Sequence, residues 1–268
     1  MLRDITLGQY FPGESIIHLL DPRVKILWTF FYMIVLFLVP DLWGFLVFFI
    51  FTAWVVHTSK IKVVHIIRGL KPLWFLLIFT AVINVFMTPG EKLFSLWGIT
   101  ATKDGLYLAT YMSLRLMFLV AGTSLLTFTT SPIMLTDGIE RLLAPFSKIG
   151  VPGHEIAMMM TIAIRFIPTI LEETDKIMKA QMARGAEFDG TNLIKKAKAM
   201  IPLLVPLFIN AFRRADDLAT AMECRCYNGG ENRTRLKQLK YTRLDLYAAA
   251  AAPLLMIAVL LSKFISAS

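Results

Sequence analysis

The sequence predicts an all-α, polytopic membrane protein with about five transmembrane helices and several long cytoplasmic or interfacial helices. Hydrophobic residues make up 56% of the 268 residues, and the mean hydropathy is +0.63. That is more apolar surface than one soluble core requires. Much of it lies in uncharged runs long enough to form membrane helices, while two later stretches have helical spacing with many charges. The uncharged runs predict helices that cross a bilayer, and the charged stretches predict helices that lie outside the centre of the bilayer.

Residues 1–130 are predicted to form a transmembrane bundle. Residues 26–56 carry no charge except Asp41, and as one helix they would be about 46 Å long, against a hydrocarbon core of about 30 Å. Two spans that turn at Pro40-Asp41 fit the bilayer better. Asp21 and Pro22 are a predicted N-cap and first helical residue. The four predicted spans of this region are 24–39, 42–57, 72–87 and 106–130.

Arg115 interrupts the fourth predicted span near mid-membrane. An ionisable side chain at this depth is a functional residue by default. The alternative is that it faces the protein interior and bonds to backbone or to a partner helix. The sequence leaves both interpretations open.

Residues 131–243 are predicted to form a cytoplasmic helical domain, followed by a last transmembrane helix within 244–268. The domain holds 17 of the 28 Lys and Arg residues, and the positive-inside rule therefore keeps it out of the bilayer centre. This predicts a multi-pass protein of the cell membrane with a cytoplasmic N-terminus and an external C-terminus. The net charge of +9 then reflects orientation and contact with anionic lipid or an acidic partner, not nucleic acid.

One short pattern occurs twice in this domain, near the ends of its two long helices. Asp175 precedes Arg184 by nine positions, and Asp216 precedes Arg225 by nine. Small residues flank each Arg, namely Ala183 and Gly185 in the first copy and Cys224 and Cys226 in the second. A guanidinium between small neighbours can enter a cleft and bind a carboxylate or carbonyls through two hydrogen bonds. A single such Arg would be interpreted as favouring the helix dipole, but two in matched positions favour binding.

The sequence contains no recognisable catalytic or metal-binding pattern. Its four histidines are scattered, and it has no Walker A loop, dinucleotide turn or nucleophile elbow. Cys224 and Cys226 lack further nearby ligands, so both are interpreted as small neighbours of Arg225. The expectation is a chain with no enzymatic activity, no cofactor and no metal of its own, which counts against an integral membrane enzyme.

Three strings between residues 21 and 227 carry a resemblance to a known family. They are Asp21-Pro22-Arg23-Val24-Lys25, then Arg165-Phe166-Ile167-Pro168 leading to Ala180-Gln181-Met182-Ala183-Arg184-Gly185, then Arg213-Arg214-Ala215-Asp216 leading to Ala221-Met222-Glu223-Cys224-Arg225-Cys226-Tyr227. Together they resemble the transmembrane T component of energy-coupling factor (ECF) transporters, a type of ABC transporter.

The resemblance implies a subunit that links ATP hydrolysis by two cytoplasmic ATPases to movement of a membrane-embedded, substrate-binding S component. The cargo would be a vitamin or another micronutrient, chosen by the S component, and ATP would be bound by the ATPases. Two long coupling helices would each end in an Ala-Arg-Gly-like motif whose Arg enters a groove on one ATPase. By position these motifs are 183–185 and 224–226, where Cys replaces both Ala and Gly in the second. Pro168, Pro202 and Pro206 are the predicted bends.

A self-contained secondary transporter or channel is the alternative from another class. Such a protein should contain repeated broken membrane helices with acidic residues at mid-depth. The predicted spans of this sequence show neither feature.

Overall fold

The computed structural model describes residues 10–39, 41–96, 99–186, 193–229 and 239–267. These residues divide into two compact units, one within 8–138 and 238–268 and the other within 139–237. The first unit contains the predicted N-terminal spans and the last helix. The second contains the two long amphipathic helices that carry the arginine motifs.

Helices make up most of the first unit. They are α1 (Ile16–Leu19), α2 (Pro22–Phe37), α3 (Leu42–Ser59), α4 (Val63–Leu70), α5 (Trp74–Met87), α6 (Lys103–Thr129), the start of α7 (Pro132–Leu143) and α10 (Arg243–Ala267). A 3-10 turn, Lys71–Leu73, joins α4 to α5. A short antiparallel hairpin of β1 (Lys92–Leu96) and β2 (Ile99–Thr102) lies between α5 and α6.

The predicted all-α, polytopic fold class is confirmed. In the described part of the chain, five helices have the length and composition to cross a membrane: Leu42–Ser59, Val63–Met87, Lys103–Thr129, Gly153–Ala183 and Arg243–Ser262. Four of them overlap predicted spans. The first predicted span, 24–39, overlaps α2, which has the same length of 16 residues, rises about 24 Å and is not among these five. Gly153–Ala183 is long and apolar enough to cross a membrane. The positive-inside rule nevertheless predicts that this stretch lies outside the bilayer, because of the basic residues that it carries.

Local sequence explains where α2 and α3 begin. Asp21 is the N-cap of α2, and its carboxylate accepts a hydrogen bond from the Arg23 backbone N–H at 2.9 Å. Pro22 occupies the first helical position, where its missing N–H costs nothing. These features confirm the predicted helix start. Asp41 stands at the N-cap position of α3, whereas Pro40, the other residue of the predicted turn, lies outside the described residues.

The core of the first unit lies where α2, α3, α6 and α10 pack together. Leu36 and Phe48 are fully buried there. The Tyr32 hydroxyl donates to the Phe118 carbonyl oxygen at 3.1 Å and lies 3.1 Å from Thr52 Oγ1. A Cβ at Gly122 would come within 2.4 Å of the Tyr32 ring. Gly122 therefore permits the close approach of α6 to α2.

Arg115 is half-buried on α6 and is held within the first unit. One terminal nitrogen donates to the Tyr111 hydroxyl, which donates in turn to the Val39 carbonyl oxygen. The guanidinium lies 5.3 Å from the centre of the Phe37 ring and 4.6 Å from that of Tyr111. Of the two alternatives that the sequence left open, the structure favours the interior-facing arginine.

The second unit is built on two long antiparallel helices. These are α8 (Gly153–Ala183) and α9 (Leu193–Cys224), preceded by the end of α7 and a 3-10 turn, Ala144–Ile149. The Gln181 amide near the end of α8 donates to the Pro202 carbonyl oxygen near the start of α9, at 3.4 Å. At the opposite end, the Tyr227 hydroxyl lies 3.4 Å from His154 Nε2. The three predicted bend residues, Pro168, Pro202 and Pro206, all lie inside these helices.

Candidate functional site

The first arginine motif is the C-terminal cap of α8. The Arg184 backbone N–H donates to the Gln181 carbonyl at 3.0 Å, and Gly185, at φ +88°, donates to the Met182 carbonyl at 3.0 Å. Ala186 then donates back to the Gln181 carbonyl at 3.0 Å. This is a Schellman cap, in which a left-handed residue lets the chain turn back and satisfy the last helical carbonyls.

The second motif caps α9 through the same three backbone hydrogen bonds. Arg225 donates to Met222 at 3.1 Å, Cys226 to Glu223 at 2.8 Å and Tyr227 to Met222 at 3.0 Å. Cys226 takes the left-handed position with φ +54°. The two copies are therefore alike in backbone structure as well as in sequence. Sequence reasoning assigned only small size to Cys226 and missed its left-handed backbone, although Gly185 at the matching position was the available signal.

Both caps present their arginines to the surroundings. All six motif residues are exposed: Ala183, Arg184, Gly185, Cys224, Arg225 and Cys226. Neither guanidinium has a hydrogen bond or ion pair with any residue that the structure describes. Two permanently charged groups without such a partner in the described ranges are suited to binding a protein that supplies carboxylates or carbonyls.

The antiparallel arrangement puts the two motifs at opposite ends of the helix pair. Arg184 follows the C-terminus of α8, whereas Arg225 lies beside the start of α8, where Tyr227 meets His154. A helix of 31 residues is about 46 Å long. The two guanidinium groups are therefore too far apart to grip one small site, and they can engage two separate surfaces.

An ion pair joins the two long helices between these ends. The Arg214 guanidinium of α9 donates to Glu173 Oε1 of α8 at 3.0 Å. It also lies 5.7 Å from the centre of the Phe166 ring. Asp175, by contrast, pairs within its own helix, 3.6 Å from Lys179 Nζ. Glu173 is thus an acidic residue that links the two helices.

The motif at 21–25 has a structural role in the first unit. Asp21 binds the Arg23 guanidinium through both carboxylate oxygens, at 3.0 and 2.7 Å. The Asp21 backbone N–H donates to Asp245 Oδ1 of α10 at 2.8 Å. The Arg23 guanidinium in turn lies 3.9 Å from the centre of the Tyr241 ring. The start of α2 is therefore fixed to the start of α10. The sequence did not predict this contact, because Tyr241 and Asp245 lie about 220 positions after Asp21 and Arg23.

Lys25 completes this cluster from the other side of α2. Its ammonium group is buried and donates to the carbonyl oxygens of His18 at 3.0 Å and Thr129 at 3.1 Å. The His18 ring lies between the Ser15 hydroxyl, 2.6 Å from Nδ1, and the Phe11 carbonyl, 3.0 Å from Nε2. Burial lowers the pKa of His18, the Phe11 hydrogen bond opposes this, and the nearby Lys25 charge lowers the pKa further. The ring is therefore neutral at neutral pH.

An exposed apolar stripe runs along α9. Its members recur every three or four residues, as on one face of a helix: Ile201, Leu204, Val205, Phe208, Ile209 and Phe212, the last with 69% of its surface exposed. A contiguous apolar surface of this kind is typical of an interface with a protein or a membrane.

The fold and the two caps define a polytopic membrane protein with a pair of matched, exposed arginine caps. Comparison with known proteins gives the family. Residues 13–236 match the CbiQ family, described as cobalt transport protein, and the chain belongs to this family as a transmembrane T component of the energy-coupling factor type. The predicted resemblance is confirmed.

Similar proteins are named energy-coupling factor transporter transmembrane protein EcfT. The protein from Thermosediminibacter oceani is 56% identical over 98% of this chain and 100% of its own length. That from Clostridium kluyveri is 56% identical over 98% of both chains. The Lactococcus lactis subsp. cremoris protein is 44% identical over 91% of this chain and 92% of its own. The family match at 13–236 includes both arginine motifs.

Proposed function

We propose that this chain couples ATP hydrolysis by two cytoplasmic ATPase subunits to movement of a membrane-embedded S component that binds the substrate. The transported compound is a vitamin or another micronutrient. The observation that supports this most directly is the pair of matched caps, which present Arg184 and Arg225 at opposite ends of one helix pair. Two equivalent, well-separated contacts are what a pair of ATPases requires, with one arginine entering a groove on each.

The helix pair is suited to transmitting a displacement. The two ends are connected by continuous helices, and the Glu173–Arg214 ion pair holds the helices together between them. When ATP closes the two ATPases, each cap moves with the subunit that holds it. The prolines at 168, 202 and 206 are the points at which α8 and α9 bend as the caps move.

The S component would dock on the apolar stripe of α9. This stripe has the i, i+3, i+4, i+7 spacing with which an amphipathic helix enters an apolar groove. Movement of α9 would then tilt the S component in the bilayer. In this scheme the T component carries no catalytic residue and binds no ATP, and its N-terminus is cytoplasmic and its C-terminus external.

Charge reversal of the two arginines tests the proposal. Arg184→Glu and Arg225→Glu each put a carboxylate into a groove suited to a guanidinium. Disruption of a buried charge pair costs on the order of 2 to 5 kcal/mol, or roughly 30-fold to several thousand-fold in affinity. We expect each single variant to retain a weakened complex with impaired transport. The double variant should lose the ATPases and still insert into the membrane, as measured by copurification with the native partners.

Arg213→Glu is the matched control, because Arg213 is an exposed arginine within α9 and outside both caps. It should copurify with the ATPases as the wild type does. If the Arg184→Glu, Arg225→Glu double variant also retains the ATPases at wild-type level, the caps are ordinary helix ends and the proposal is wrong.

A further inference from the structure

Two cavities of different character lie at one end of the first unit, where consecutive residues of the chain line one or the other. The first has a volume of about 240 Å³ and an apolar wall, and it opens between α1, α2, α3, α6 and α10. The second, also of about 240 Å³, lies between the segment 11–18 and the loop that joins α3 to α4, and we call it the polar cavity because charged and hydroxyl side chains interrupt its otherwise apolar wall. Ile16 and Ile17 of α1 line the apolar cavity, whereas Ser15 and His18 line the polar one.

The same alternation occurs at the end of α3. Val55 and Thr58 line the apolar cavity, and the next two residues, Ser59 and Lys60, line the polar one. A ligand that fills both cavities would therefore pass from an apolar environment to a polar one within about one turn of helix. This is the geometry of an amphiphile at the boundary between acyl chains and headgroups.

Positive charge distinguishes the polar cavity. Lys60 and Lys62 line it, and neither forms an ion pair with a residue in the described ranges. Glu14 is the acidic residue among those that line it, and the buried His18 ring is neutral at neutral pH. The two lysines therefore give the cavity a net positive charge, which suits a phosphate group.

The apolar cavity is open to the exterior of the bundle. Trp54 and Tyr247 line it with 59% and 70% of their surfaces exposed. Aromatic rings of this type are enriched at the membrane–water interface. Lys25 contributes to the wall, but two carbonyl oxygens already bind its ammonium group.

We propose that these two cavities together form a binding site for one anionic phospholipid. Its phosphate lies between Lys60 and Lys62, and an acyl chain lies in the cavity beside Trp54 and Ala251. The lipid thereby occupies the junction of α1, α3 and α10. This site is separate from the arginine caps and does not depend on their proposed function.

Native mass spectrometry of the full-length chain in mild detergent tests the site, with phosphatidylglycerol and phosphatidylcholine titrated separately. Phosphatidylglycerol should bind about tenfold more tightly or better, because each lysine near a lipid headgroup adds on the order of 1 kcal/mol. The Lys60→Gln, Lys62→Gln double variant should lose that preference. The control Arg68→Gln, Lys71→Gln removes the same charge from α4 and the 3-10 turn that follows it, outside both cavities, and should keep the preference.

A second pair of variants tests the acyl chain. Ala251→Phe fills the apolar cavity and should weaken binding of both lipids, whereas Ala249→Phe, exposed on the same helix and outside the cavity lining, should not. Circular dichroism checks that each variant retains its helical content.

Three outcomes would overturn the proposal. The first is equal binding of the two lipids to the wild type. The second is competition by soluble glycerol phosphate at the same concentrations as phosphatidylglycerol, which would indicate a site for free phosphate. The third is loss of the lipid whenever the chain copurifies with its membrane partners, which would make the cavities a protein interface.

Discussion

Cys226 has an uncommon backbone conformation for a residue with a side chain. Its φ of +54° lies in the left-handed region. For any residue with a side chain, this conformation costs on the order of 1 kcal/mol relative to the right-handed region, whereas glycine adopts both readily. The matching position in the first cap is Gly185. The cap tolerates this cost because three backbone hydrogen bonds hold the turn. Small size is therefore only part of what position 226 requires.

Substitutions at position 226 should reveal this backbone requirement. We expect Cys226→Gly to preserve or raise the thermal stability of the cap, by up to about 1 kcal/mol, and Cys226→Val to lower it by a similar amount. Thermal unfolding in detergent measures both effects. Cys224→Ala, at the end of the regular helix, serves as the control and should change stability little. Loss of ATPase binding in the Cys224→Ala, Cys226→Gly double variant, or copurification of stoichiometric metal with the wild type, would show that the thiols have a role of their own.

At the scale of elements, the Glu173–Arg214 ion pair fixes α8 against α9. Its side chains are 24% and 30% exposed, so water screens the pair and its contribution to stability is modest, of the order of 1 kcal/mol or less. Its position matters more than its energy, because it connects two helices whose far ends are the arginine caps. A change at this contact should alter the distance between the caps while leaving the caps themselves intact.

Charge reversal tests this connection. In Glu173→Arg, two guanidinium groups face each other, and we expect a broader distribution of distances between the caps. Spin labels at Met182 and Glu223, which are exposed at matching positions in the two caps, allow the measurement by double electron–electron resonance. The Glu173→Arg, Arg214→Glu exchange should narrow the distribution again. Exchange of Asp175 and Lys179, a pair within α8, is the control and should leave it unchanged. If the wild type and the three variants all have the same distance distribution, the Glu173–Arg214 ion pair does not hold α8 against α9.

For the molecule as a whole, the charge distribution predicts the orientation in the membrane. The linker from 57 to 71 carries Lys60, Lys62, Arg68 and Lys71 and no acidic residue, whereas the loop from 88 to 103 carries two lysines and one glutamate. Under the positive-inside rule, the first is cytoplasmic and the second external. The basic second unit lies on the cytoplasmic side in the same scheme, where ATPases are available.

Thiol labelling can establish this orientation. In a variant without Cys224 and Cys226, the only two cysteines of the chain, we expect a cysteine at Glu91 to react with an impermeant reagent added outside intact cells. A cysteine at Lys62 should react only after the membrane is permeabilised. Both positions are exposed, so a failure to react reports the side of the membrane and not burial. The reverse pattern would invert the orientation, and the ATPases would then have no access to the caps.

The amino-acid sequence by itself was sufficient to predict the membrane class, the N-cap at Asp21 and the family. Each depends on local information: apolar runs long enough to cross a bilayer, a capping residue followed by proline, and short strings around the arginines. The repeated pattern at Arg184 and Arg225 was also visible, because a cap is formed by consecutive residues. The proposed role of these arginines remains a prediction.

Only the tertiary structure decided which distant residues meet. Asp245 bonds to Asp21, Arg214 pairs with Glu173, and Arg115 turns to Tyr111 inside the bundle. It also showed that the two arginines lie at opposite ends of an antiparallel pair. Sequence spacing along one helix specifies a face, but it does not specify which helix packs on that face. That choice depends on the complementary shapes and charges of side chains far apart in the chain, and these act only once the helices have packed together.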